Sequence, residues 1–122
     1  MTPYHFLLTI FQALLYKLSG QTDITIGIPV AGQLTTTEST LVGHCVNLSV
    51  LRSSLTPEVR LTSLLQESRR QVFDAFEHSL FGYGELIGAV KPAGNSARNP
   101  LASVVFNVDM VNLDIDFAGL EV

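Results

Sequence analysis

Apolar residues recur at three- and four-residue steps near the start of the chain: Phe6, Leu7, Ile10, Phe11, Leu14, Leu15 and Leu18. That spacing predicts a helix with a wide apolar stripe, mostly buried. Thr2 is placed to cap it, Pro3 fits the first helical position where a missing N–H costs nothing, and Gly20 is placed to end it. From Asp23 to Val30 the period changes to two. Ile24, Ile26, Ile28 and Val30 share one face, and Pro29 marks an edge or the strand's end. Residues 31 to 40, with Gly32 and a run of threonines, read as a loop. A second strand over about 43 to 52 puts Val46, Leu48 and Val50 on one face, and Cys45, Asn47, Ser49 and Leu51 on the other.

Beyond the turn at Thr56-Pro57, helical spacing returns from about Leu61 to His78, with Leu61, Leu64, Leu65, Ser68, Val72, Ala75 and Phe76 inward and Arg69, Arg70 and Asp74 outward. A short helix over Tyr83 to Val90 follows, weakened by glycines. Lys91 to Pro100 reads as a loop, Val104 to Met110 as a third strand, and Leu113 to Val122 as a fourth. The order predicts an α/β fold with helices packed on a mixed sheet.

Composition adds one point. Charged residues are 15% and apolar ones 47% of 122 residues, against about 25% charged in an ordinary soluble domain. A chain this small has a high surface-to-volume ratio, so a shortage of charge implies a face that another body covers. The net charge of -4 argues against a nucleic-acid partner. Phe6 to Tyr16 is apolar, but no basic residue precedes it and Lys17 follows, which argues against a signal peptide. His5, Gln12 and Lys17 interrupt it as a membrane span, which needs roughly 20 apolar residues. The single cysteine, Cys45, excludes an internal disulfide and favours a reducing, cytoplasmic setting.

Residues able to do chemistry are sparse. His5, His44 and His78 lack metal-ligand spacing, and neighbours on a strand such as His44 and Cys45 diverge, which disfavours a catalytic pair. No G-x-S-x-G elbow and no phosphate-binding glycine loop occurs. Asn47 is a polar amide in an otherwise apolar strand, open to two readings: a satisfied core amide, or a group facing a channel. Arg98 is similarly open, its simplest role being to pair a carboxylate or tie down the loop before the third strand.

Three short runs carry more than the spacing does: Val42-Gly43-His44-Cys45-Val46-Asn47, Glu77-His78-Ser79-Leu80-Phe81-Gly82-Tyr83 and Ser96-Ala97-Arg98-Asn99-Pro100-Leu101. Their order resembles the last three core motifs of nonribosomal peptide synthetase condensation domains. Phe11 to Leu15, Ser19 to Asp23 and Gly27 to Gly32 look like the helix, turn and strand that precede them. The resemblance implies a partial lobe of a chloramphenicol acetyltransferase-like fold, spanning residues 1–122 as a single partial domain. In that fold two lobes meet around a tunnel, and substrates arrive on the phosphopantetheine arms of carrier proteins. The family's HHxxxDG histidine motif is absent from the sequence, so the resemblance assigns no catalytic residue here and expects the chain to be inactive alone. No metal or directly bound cofactor is expected. Gly43, His44 and Asn47 become candidates for lining the tunnel, Asn47 foremost. His78, Arg98, Asn99 and Pro100 become structural motif residues, although Ser79, Leu80 and Gly82 depart from the family's usual residues around His78. The implied partners are the N-terminal lobe of the same synthetase and its carrier proteins, with no nucleic acid and no membrane. A non-catalytic module or remnant, self-associating through the face that lobe would cover, is the alternative.

Overall fold

The computed structural model describes residues 2–31, 45–92 and 99–109. Helix α1 runs Pro3–Ser19, strand β1 Asp23–Ala31, strand β2 Val46–Ser54, helix α2 Leu61–Glu77 and helix α3 Tyr83–Val90. The two strands pair antiparallel, from Asp23 opposite Ser54 to Ala31 opposite Val46. A third segment reaches the other edge of β1. The Gly27 N–H donates to the Val104 carbonyl (2.8 Å) and the Phe106 N–H to the Gly27 carbonyl (2.9 Å), a parallel bridge centred on Val105. Parallel contact on one edge and antiparallel on the other make the arrangement mixed.

Both long helices lie on one face of β1 and β2. The core joins Leu8 of α1, Ile24, Ile26, Ile28 and Val30 of β1, Leu51 of β2, Leu55, and Leu64 and Val72 of α2. Each such aliphatic side chain contributes about 1.5–3 kcal/mol of burial. The isoleucine alternation in β1 therefore does what period two predicts. Gly20 ends α1 in the left-handed region, φ 67°, with its N–H donating to the Tyr16 carbonyl.

The face that α1 turns inward matches the expected one only in part: Phe11 and Leu15 pack against the core. His5, Leu8, Thr9 and Gln12 are buried, whereas Phe6, Leu7, Ile10, Leu14 and Leu18 are exposed, Leu18 by 77%. Both sets recur at helical spacing, so periodicity could not choose between them. The inner set can be buried because most of its polar groups are satisfied: the Thr9 hydroxyl donates to the His5 carbonyl (2.7 Å) and Gln12 bonds to two serines, His5 Nε2 being the exception. On α2 the expected inward set is likewise trimmed, with Leu64, Ser68 and Val72 buried and Leu61 and Phe76 exposed. Thr2 is a second correction, since its side chain makes no cap bond and its hydroxyl instead meets His5 Nδ1 at 2.6 Å.

The strand expected over Val104 to Met110 is reduced to the bridge at Val105 among the described residues. That bridge is made at Gly27. A Cβ built there would stand 3.1 Å from Leu48 Cδ1 and 3.3 Å from Val105 Cγ2, so close approach of the third segment relies on glycine. The expected loop over 31 to 40 loses Ala31 to β1; the rest of it, the expected fourth strand, and the candidates Gly43, His44 and Arg98 lie outside the described residues.

A clasp joining three motifs

The period of two places Asn47 on the same face as Leu51 and the buried Ser53, toward the helix layer and opposite Val30. There its amide is fully used. The two Nδ2 hydrogens donate to the carbonyls of Ser79 (2.9 Å) and Phe81 (3.0 Å), while Oδ1 accepts from the Leu48 N–H (2.9 Å) and the Tyr83 N–H (3.2 Å). One side chain thus holds the whole turn from α2 into α3. Only an amide offers two donors and an acceptor in this geometry.

The turn carries the second motif. His78 caps α2, its backbone N–H donating to the Asp74 carbonyl (3.1 Å). His78 Nδ1 lies 2.8 Å from the same carbonyl, and because a carbonyl only accepts, this bond requires the proton on Nδ1. Gly82 opens α3, with its N–H donating to Glu85 Oε2 at 2.8 Å. A recess of about 150 Å³ lies beside His78, walled by Leu48, Val50, Ala75, Phe81 and Leu86.

Tyr83 then reaches the third motif. Its hydroxyl sits against the Pro100 carbonyl and 3.0 Å from Asn99 Oδ1. Leu101, next in the chain, takes φ 68°, a left-handed conformation that costs a leucine about 1–2 kcal/mol. Asn47, the 79–83 turn and Asn99-Pro100 therefore form one continuous polar clasp. Of the described candidates, Asn47 bonds to the turn that follows His78, and Asn99 and Pro100 meet that turn through Tyr83, which was not singled out from sequence. Its only signal was its place at the end of the second run.

A second network was not read from sequence, which placed only Ser68 of its members inward. Buried Gln12 donates through Nε2 to Ser53 Oγ (2.8 Å) and accepts through Oε1 from Ser68 Oγ (2.5 Å), and Ser53 Oγ in turn donates to Gln71 Oε1 (3.1 Å). The four residues tie α1, β2 and α2 together inside the core. Gln12, noted from sequence only as a break in an apolar run, is 0% exposed. Among the described residues no group of three or more metal-type side chains gathers, and no helix is long and apolar enough to cross a membrane.

Comparison with known proteins finds relatives along nearly the whole chain. The chain is 34% identical over 122 residues to a linear gramicidin synthase subunit of Brevibacillus parabrevis, a match covering 99% of this chain and 2% of that protein. It is 35% identical over 118 residues to a plipastatin synthase subunit of Bacillus subtilis (strain 168), covering 94% of this chain and 5% of that one. The chain thus spans a small fraction of the curated relatives it matches. Among solved structures, a four-domain nonribosomal peptide synthetase bound to AMP and glycine superposes with a TM-score of 0.81 at 27% identity, covering 86% of this chain and 8% of that one. The condensation domain of the monacolin K polyketide synthase gives 0.77 at 26% identity, covering 87% of this chain and 25% of that one. These superpositions show the chloramphenicol acetyltransferase-like fold that the motif runs imply. The condensation-domain family profile matches residues 1–118, and the chain belongs to that family.

Proposed function

We propose that this chain is the C-terminal lobe of an amide-forming condensation domain in a nonribosomal peptide synthetase, and that it works by shaping one wall of the substrate tunnel. The observation that carries this reading is the clasp: three separate family motifs converge on one turn through Asn47 and Tyr83. Asn47 spends all its polar capacity on backbone groups of the chain, so its contribution is to hold the wall in shape. Gly43 and His44 precede it on the same run and complete the proposed lining. Proton transfer is assigned to the histidine motif of the N-terminal lobe, and substrates to the phosphopantetheine arms of carrier proteins. Orientation of two reactants in this way is worth several kcal/mol of barrier.

The test is to combine the purified chain with the HHxxxDG-bearing segment of the same synthetase and with donor and acceptor carrier proteins. The amide product is followed by mass spectrometry. Product is expected only from the combination, and Asn47→Ala is expected to slow it by about 10²-fold through misplacement of the wall. Turnover by the chain alone at the combined rate would overturn the reading.

A second reading rests on the exposed face of α1, where Phe6, Leu7, Ile10, Leu14 and Leu18 stand open. A non-catalytic module that self-associates through this face would sediment with a concentration-dependent mass. A monomer at all concentrations sinks that alternative.

A further inference from the structure

Every exposed residue of α1 from Pro3 to Leu14 is apolar: Pro3, Phe6, Leu7, Ile10 and Leu14, with Leu18 a turn further on. A helix turning that face to water would carry charged or amide groups there. Phe6, Leu7, Ile10, Leu14 and Leu18 are 41–77% exposed and leave roughly 500 Å² of apolar surface open, enough to mark an interaction site.

The fold fixes where this row lies. At 3.6 residues per turn, Leu7, Leu14 and Leu18 fall on one flank of α1, within about 40° of each other. His5 and Gln12 occupy the other flank, where they meet Phe73 and Ser68 of α2. Between the leucine flank and the sheet stands Phe11, which with Tyr4 packs on Phe106 of the third segment, at 5.3 and 5.5 Å between centroids. Helix α1 therefore sits between α2 and the edge of β1 that the third segment extends. Leu7, Phe11, Leu14 and Leu18 are spaced i, i+4, i+7, i+11, the stripe that a neighbouring helix buries.

We propose that this flank seats an amphipathic helix from another part of the same condensation domain, lying beside α1 on the side away from α2. The proposal rests on the synthetase reading above. A sheet that continues past β1 needs a further helix over it, and a helix there meets Leu7, Leu14 and Leu18 directly. Area decides against a second copy of the chain. Two such faces bury about 1,000 Å² between them, below the roughly 1,200 Å² at which stable interfaces begin. A segment of the same polypeptide is held at high effective concentration, so the smaller area suffices. The match covers 25% of the monacolin K synthase condensation domain, which leaves most of that chain outside it.

The test places the photocrosslinker p-benzoylphenylalanine at Leu7, Leu14 or Leu18, one at a time, in the full-length synthetase that carries this sequence, and maps the captured peptide by mass spectrometry. All three positions are expected to capture one peptide outside residues 1–122. The sites reached from Leu7 and Leu18 should lie about 11 residues apart, as on a helix, whereas a strand would put them about five apart. Leu14→Cys gives a second measure: a maleimide should modify it at least about tenfold more slowly in the synthetase than in the 122-residue chain at low concentration. Capture of a second copy, of residues 110–122 or of a strand-spaced pair, or equal labelling rates, overturns the proposal. No arm requires amide formation, so a synthetase that gives the expected crosslinks but forms no amide overturns the functional reading alone. A natural protein with no further condensation-domain sequence overturns both.

Discussion

Replacing Asn47 by alanine tests the clasp at its centre. The amide makes four hydrogen bonds, to Ser79 and Phe81 carbonyls and from Leu48 and Tyr83 N–H groups, at 2.9–3.2 Å. At about 0.5–1.5 kcal/mol net each, the sum would reach a few kcal/mol. The Phe81 bond is solvent-exposed and the others partly so, and water replaces some of what is lost. The expected destabilisation is therefore about 2 kcal/mol, or about 10 °C in Tm for a domain of this size. Urea unfolding measures the total, and hydrogen exchange at the Tyr83 amide measures the local share, which should quicken by about 30-fold if the turn opens by itself. Asn47→Asp sharpens the test. It keeps the acceptor for Tyr83 but sets a carboxylate oxygen against two carbonyls, so it should be worse than alanine at neutral pH. Facing those carbonyls, its folded-state pKa is raised, so the protonated form is favoured in the fold and stability recovers as pH falls through that value. A change under about 0.5 kcal/mol for Asn47→Ala, with Tyr83 exchange unaltered, refutes the assignment of Asn47 as the post that holds the turn.

Four further outcomes are expected. Gln12→Leu removes the bonds to Ser53 and Ser68, which keep their own bonds to Gln71 and to the Leu64 carbonyl, and should cost about 1–3 kcal/mol by denaturant unfolding, more than its small change in volume alone would give. Gly27→Val should cost about 1–3 kcal/mol and weaken exchange protection at Phe106, because its side chain drives into Leu48 and Val105. Burial holds His5 neutral below its ordinary pKa of 6.5; the unfolded chain binds the extra proton, so stability should fall as pH drops below 6.5, and His5→Phe should remove that slope. Asp23 is held below its ordinary carboxylate range by its hydrogen bond to Arg52, and Glu67 by its bond to Arg70. Their contributions are present at neutral pH and fade as pH falls through the lowered values, a loss that Asp23→Asn should shrink in an acid titration followed by circular dichroism.

Local pattern was enough for the order of the first five elements and for the limits of α1, β1 and α3 to within about a residue, because dihedral preferences, capping and side-chain periodicity act over neighbouring residues. The shortage of charge has its counterpart in an exposed apolar row, Phe6, Leu7, Ile10, Leu14 and Leu18. Which face of α1 turns inward was settled in the assembled fold. Two sets of positions share the helical period, and the choice depended on whether Thr9 and Gln12 could find partners on another turn, on β2 and on α2. The same holds for Asn47, whose strand position was legible while its partners, more than thirty residues away at Ser79, Phe81 and Tyr83, were not. Hydrogen bonds between distant segments depend on how layers stack and where a turn lands, and the spacing of neighbouring residues carries no information about either.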